Sequence, residues 1–351
     1  MAVSPLAQYL PGEIAPSTEQ LRELLELANQ VQKAEPWNRF ADQQLVVATH
    51  PVTGEPVYCC IMGGIGQFFA VHVYIGEQGL STFCMMRDRL LEGAAEIYSR
   101  SRYVGVEWAH ARDFTPDQTE LLEALGVEVK AGRKLPRFES ARPGYWPWYP
   151  NAEEAEVLAE GLRVVLAADR NFGALAEKHW KSKDEYPRAE AVPGSAGEYT
   201  WTSFVAPEPQ EPTLVPAPLD RERVERIQAA GYEKGRAVEL DHLWLAIQIG
   251  EENRRASLAQ MVMIVEQRGG HAHPPKLESP EMPANETVQN AVLRVIEETK
   301  RIPQKVIVRG LERRAWVSEL ARALGFRVEV EYRFKELDHA VAAVKRFMGA
   351  E

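Results

Sequence analysis

Residues able to do chemistry gather at a few points of the 351-residue chain. Glu239 and Asp241 sit at the first strand-like run of the C-terminal half, and Glu286 is a third acidic candidate. Carboxylates that meet in space can hold the metal ions of a hydrolase or nuclease. Two-metal nucleases of the ribonuclease H-like kind also need a carboxylate at the end of the fourth strand. Here that strand ends Val306-Ile-Val-Arg-Gly310, and the first strand of the N-terminal half, Leu45–Thr49, has no acid. Arg309, Arg313 and Arg314 stand where a strand leads into a helix. In open α/β sheets that position favours an anion, so it is the sharpest binding candidate. Its alternative is an exposed helix face whose arginines pair with Glu312 and Glu319.

Arg142-Pro-Gly-Tyr-Trp-Pro-Trp-Tyr149 is the most unusual phrase. Pro143-Gly144 fits a type II turn, and Pro147 keeps Trp146 extended. Arg142, Tyr145, Trp146 and Trp148 then either cap a core or meet a partner by stacking. His271-Ala-His273 offers two imidazoles but lacks the third ligand that zinc requires, unless Asp241 or His242 supplies it; a polar loop is the alternative, and no metal or cofactor is expected. Cys59, Cys60 and Cys84 show no Cys-x-x-Cys spacing and suit small core positions. Gly63-Gly-Ile-Gly66 lacks the Lys-Ser/Thr of a phosphate loop and fits a hairpin turn.

The elements that must position these residues can be read from pattern and punctuation. Ser17 and Gln20 open a helix with Leu21, Leu24, Leu25, Ala28 and Val31 on one face, and Pro36 closes it. Leu45–Thr49, Val57–Met62 and Phe68–Ile75 read as an antiparallel meander. Next come a helix over Leu80–Tyr98, a strand over Tyr103–Trp108, a helix from Thr115 to Gly126, a strand over Val127–Lys130 and a helix capped by Asn151 and Glu154. In the C-terminal half, strands over Leu240–Ile249 and Leu258–Glu266 precede a helix capped by Asn285. A strand over Lys305–Val308, a helix to Gly325, a strand over Phe326–Glu331 and a last helix through Leu337 and Val344 complete it. Such alternation implies parallel pairing with right-handed crossovers. The expected class is α/β with mixed sheets, each half being strands followed by alternating helix and strand, as in ribonuclease H-like topology. Leu121-Leu-Glu-Ala-Leu-Gly-Val-Glu-Val129 parallels Leu320-Ala-Arg-Ala-Leu-Gly-Phe-Arg-Val328, which raises an internal duplication.

Prolines 207, 209, 212, 216 and 218 mark a linker. It divides the chain into an N-terminal domain over 1–206, a linker over 207–219 and a C-terminal domain over 220–351. With 41 Lys+Arg against 51 Asp+Glu, the net charge of −10 opposes binding of nucleic acid or an anionic membrane by the whole chain. The stretch from Arg294 to Arg346 runs against this, with 13 basic and 8 acidic residues. Three cysteines cannot build a disulfide framework, and no apolar run reaches membrane-spanning length, so a cytoplasmic location is expected.

Several motifs occur in an order that resembles an uncharacterised bacterial domain of unknown function. They are Glu35-Pro-Trp37, Pro51-Val-Thr-Gly-Glu-Pro-Val-Tyr58, Met62-Gly63, Gly66, Tyr74-Ile-Gly76, Gly79-Leu80, Pro136-Arg-Phe138, Arg142-Pro-Gly-Tyr-Trp-Pro-Trp148 and the acidic start Glu153-Glu154. The resemblance covers roughly residues 20–205. From about Asn285, Pro303-Gln-Lys-Val-Ile-Val-Arg309 and Ala323-Leu-Gly325 resemble a second uncharacterised domain often found beside the first. The resemblance implies bacterial origin and a two-domain layout, and carries no activity. The residues favour a non-catalytic binding or regulatory protein with a small anion or a protein as partner. The alternatives are a metal-dependent hydrolase around Asp241, and anion or nucleic-acid binding at Arg309 and Arg313.

Overall fold

The computed structural model describes residues 9–91, 93–195, 197–207, 214–250 and 254–347. They form a mixed α/β protein of two compact units, one built mainly from residues up to 207 and the other mainly from 214 onward. The Pro-rich linker falls partly on residues 208–213, outside the described residues.

In the first unit, Ser17 caps α1 (Thr18–Ala34) and Gln20 bonds back to it, completing the expected capping box. Strands β1 (Val46–Thr49), β2 (Pro56–Met62) and β3 (Ala70–Ile75) form the expected meander. Gly63–Gly66 lies in the turn between β2 and β3, with the Gly66 N–H donating to Gly63 O. The helix expected over Leu80–Tyr98 is instead two: α2 (Gly76–Arg87), starting directly from β3, and α3 (Ala94–Tyr98). Then come β4 (Tyr103–His110), α4 (Pro116–Ala124), β5 (Lys134–Ala141), α5 (Ala152–Arg170), α6 (Phe172–Lys178), β6 (Glu185–Ala191) and β7 (Tyr199–Val205).

These strands make one seven-stranded sheet in the order β5-β4-β3-β2-β1-β6-β7. One face carries Val46, Val57, Cys59, Val71, Val73 and Val104 and packs on α1 and α5 in a single core; the other carries Val47, Tyr58, Cys60, Tyr74 and Tyr103, with Leu80 and Phe83 of α2 above them. All three cysteines are buried in these layers.

Two expectations fail here. The β3–β4 connection is not a parallel crossover: β4 pairs antiparallel, because α2 and α3 return the chain to the end it left, where the Ile75 N–H donates to Arg102 O. A crossover must deliver the chain to the opposite end of the sheet. Val127–Lys130 is not a strand either; the strand lies further on, as β5.

The second unit contains α7 (Arg221–Ala230), β8 (Glu233–Gly235), β9 (Val238–Ile249), β10 (Ser257–Glu266), β11 (Ala272–His273) and β12 (Leu277–Glu278). These are followed by α8 (Ala284–Thr299), β13 (Arg301–Pro303), β14 (Lys305–Arg309), α9 (Gly310–Leu324), β15 (Arg327–Glu331) and α10 (Glu336–Phe347). Asn285 does not cap α8: Pro283 holds that position, and Asn285 lies within the first turn. The main sheet runs β11-β10-β9-β14-β15, with β10 antiparallel to β9, and β14 and β15 parallel to it. Val238, Leu240, Val306 and Val308 face a core with α7, α8 and α9, while Ile307 and Leu245 face Phe334 and Leu337.

The two sheets share a three-stranded meander with a parallel strand beside its first member, β3-β2-β1-β6 and β11-β10-β9-β14, but the first sheet adds β4 and β5 and ends on an antiparallel strand where the second ends on a parallel one. The paired phrases part company after their glycines, since Gly325 leads into β15 whereas Gly126 leads into irregular chain.

Candidate functional site

β9 alternates, so Leu240 enters the core while Glu239 and Asp241 share the opposite face, beside the start of α10. Pairing of Val308 with Leu240 brings Arg309, the last residue of β14, next to Asp241. Gly310, at φ +82, turns the strand into α9 within one residue, a conformation that strains any side chain with a Cβ. The Arg309 Nε donates to Asp241 Oδ2 at 2.5 Å, its Nη1 donates to the Tyr332 carbonyl at 2.7 Å, and its Nη2 bonds Asp338 of α10. Its guanidinium also lies over the Phe334 ring, 4.8 Å from the centroid.

Arg313, one turn into α9, approaches Asp241 Oδ1 at 3.6 Å and donates to His242 O and Glu312. Asp241 is 2% exposed. Burial raises its carboxyl above the ordinary aspartate range, against the pull of Arg313 and Arg309. Burial alone would lower Arg309, but Asp241 and Asp338 more than offset it and hold the guanidinium above its usual value. Glu239 accepts the Leu337 N–H at 2.9 Å, tying β9 to α10.

Two of the three arginines singled out at this junction, Arg309 and Arg313, therefore share a nest with three carboxylates, those of Asp241, Asp338 and Glu312. Arg314 is exposed on α9. Glu286 does not join this group: it lies on α8, which packs on the other face of the sheet. His271 and His273 do stand together, with ring centroids 5.2 Å apart, but His242 bonds Gln260 across the sheet at 2.9 Å instead of completing a ligand set. Among the described residues, no three His, Cys, Asp or Glu side chains are arranged to hold a metal ion.

The aromatic phrase of the first unit is anchored in the same way. The Tyr145 N–H donates to Arg142 O and Gly144 adopts φ +83, the expected turn. Arg142 bonds Glu13 and, at 2.9 Å, Glu154, the residue that completes the Asn151 capping box of α5. Trp148 continues the sheet edge by bridging Ser140, and Trp146 packs on Tyr98 with ring centroids 5.6 Å apart. Both indoles are half-buried, and neither Nε1–H has a partner among the described residues.

A further cluster was not singled out from the sequence. On the face away from α5, two rows cross β3, β4 and β5: His72, Gly105 and Glu139, and beside them Ala70, Glu107 and Arg137. Gly105 makes this arrangement possible, because a Cβ there would lie 2.5 Å from His72 Cδ2. Across the gap, His72 Nε2 comes within 3.4 Å of Glu139 Oε1, and the His72 ring stacks on Tyr103 at 4.2 Å. The Tyr103 hydroxyl donates to Glu139 at 2.8 Å, and Arg137 bonds Glu107. Burial raises Glu107 despite Arg137. Burial would also raise Glu139, but His72, Tyr103 and Arg137 overcome it and leave its carboxyl below the ordinary range. The available signal was the alternation of polar with apolar residues in Ala70–Ile75 and Tyr103–His110. It becomes readable only once β5 is placed beside β4.

Residues 22–186 match the model of a domain of unknown function, DUF7309, and residues 223–345 match that of a second, DUF6930. This agrees with the resemblance of the sequence to an uncharacterised two-domain family. No curated protein matches the chain. No helix among the described residues is long and apolar enough to cross a membrane.

Proposed function

We propose that this chain, which joins a DUF7309 domain to a DUF6930 domain, is a non-catalytic binding protein. In this reading its C-terminal unit is a ribonuclease H-like domain with a sealed centre. The strand order with only β10 reversed supports the topology. A single observation carries the loss of chemistry: the Arg309 guanidinium lies between Asp241 and Asp338. Two-metal hydrolysis needs cations between such carboxylates to clamp the attacking and leaving oxygens. Here a side chain of the protein supplies the positive charge, and a guanidinium has no open coordination position. The donor set does not fit a metal pair, and no catalytic step runs through one.

The experiment is a hydrolysis assay of the full chain on single- and double-stranded oligonucleotides with Mg2+ or Mn2+. No turnover above buffer is expected. Metal-dependent cleavage that disappears in Asp241→Asn would overturn the reading.

A second reading attaches to the first unit, where two nearby carboxylates are pushed in opposite directions, Glu107 up and Glu139 down. Opposite shifts arise in structural ion-pair networks as well as in acid–base pairs; what favours chemistry here is that His72 and Tyr103 both stand against Glu139. Its signature would be an activity whose pH profile shifts in Glu107→Gln. A chain that shows no activity against an esterase, phosphatase and glycosidase panel, with or without that substitution, counts against it.

A further inference from the structure

The outermost strand of the first unit, β7, pairs with β6 on one side and, among the described residues, with no strand on the other. Its sequence, Tyr-Thr-Trp-Thr-Ser-Phe-Val, contains no charge and no proline. Thr200, Thr202, Ser203 and Val205 are exposed, Val205 by 73%. Open edges present unpaired N–H and C=O groups, and proteins usually blunt them with charge, proline or a covering segment. The other long edge strands among the described residues are blunted: β5 contains Pro136 and is bridged by Trp148, and β15 reads Arg-Val-Glu-Val-Glu. Among the described residues, β7 alone of the long edge strands has no such device.

We propose that two copies of the chain pair through β7, antiparallel about a two-fold axis at Thr202, so that the two sheets become continuous. A second copy is the occupant that the charge pattern allows at this edge and forbids at β15. Pairing about Thr202 sets Tyr199 against Val205 of the second copy and Trp201 against its Ser203, and no ionised group meets its like. Pairing β15 on itself about Glu329 would set that carboxylate against its own copy, which is destabilising. The strand-addition geometry supplies main-chain hydrogen bonds, and the aromatic residues add side-chain contact. Each chain carries −10, so long-range repulsion opposes the dimer and salt screening favours it.

Sedimentation velocity on the full chain over a concentration and salt series tests this. The expected result is a monomer–dimer equilibrium that tightens as salt rises, and that weakens by roughly tenfold or more in Thr202→Lys, with far-UV circular dichroism unchanged. Ser203→Lys serves as a second variant if the first misfolds. Thr202→Cys should give a covalent dimer under mild oxidation, since Cys59, Cys60 and Cys84 are all buried. A wild-type chain that stays monomeric to its solubility limit overturns the proposal. So does a dimer that persists undiminished in both lysine variants.

Discussion

Replacing Arg309 by Ala removes the hydrogen-bonded counter-charge from Asp241, which is 2% exposed and would keep only the more distant Arg313. Removing one partner of a buried pair costs several kcal/mol, and the partial exposure of the Arg309 side chain reduces this to about 2–3 kcal/mol. Urea unfolding of wild type and variant measures it; a loss under about 0.5 kcal/mol, as for an ordinary surface site, would mean that the guanidinium does not hold the centre together.

Gly105→Ala places a methyl 2.5 Å from His72 Cδ2 and 3.0 Å from Val71 O, so overpacking of about 2 kcal/mol is expected, read as a lowered urea midpoint at constant m-value.

The carboxylates beside it respond to pH with opposite signs. Glu139 titrates below its ordinary 4.5 when folded, so its stabilising contribution is complete above that value and is lost as pH falls through the folded pKa. Glu107 titrates above 4.5 when folded, so its ionisation costs stability at neutral pH, and that cost is relieved on acidification. Urea unfolding across pH should therefore show Glu139→Gln reducing acid sensitivity and Glu107→Gln increasing it. Parallel shifts in the two variants would contradict the assignment.

At this scale Arg142, Arg309 and Arg313 were legible as candidates from sequence, but their commitment was not. Their carboxylate partners Glu13, Asp338 and Asp241 are 129, 29 and 72 residues away respectively, and no local pattern links them.

Helix starts were legible because their signals are local. Ser17, Thr115 and Asn151 cap α1, α4 and α5, each with a reciprocal bond three residues on. Asn151 is the most consequential of the three, since Glu154 also receives Arg142. Asn151→Ala should cost about 1–2 kcal/mol by chemical denaturation, the upper part of the range for a lost cap, because it also loosens the aromatic loop. A cost near zero would show that Arg142 and Glu154 hold the helix start without it.

Strands joined by long excursions were not legible. β5, β6 and β7 are interrupted by Pro136, Pro187 and exposed polar residues, and the direction of β4 depends on where a two-helix excursion returns. The helix–Gly–strand phrase misled for a related reason. Glycine at positive φ ends a helix wherever the chain must turn and does not dictate the element after it, as Gly126 and Gly325 show.

For the whole molecule, the Pro-rich stretch and the alternation of elements pointed to a two-unit mixed α/β chain, and the units and the two family matches agree with that count. The local excess of basic residues toward the C-terminus read as an anion surface; within the fold three of those residues, Lys305, Arg309 and Arg313, are paired with Glu329, Asp241, Asp338 and Glu312. Net charge along a sequence does not distinguish a cation facing solvent from one spent on a carboxylate beneath it. A sealed centre requires that Arg309 occupy the position a metal pair would need. The most direct test is calorimetric titration of Mn2+ into the full chain, wild type and Asp241→Asn side by side. Superimposable traces with no saturable heat assignable to Asp241 are expected. Stoichiometric binding by wild type that vanishes in Asp241→Asn would contradict the sealed centre.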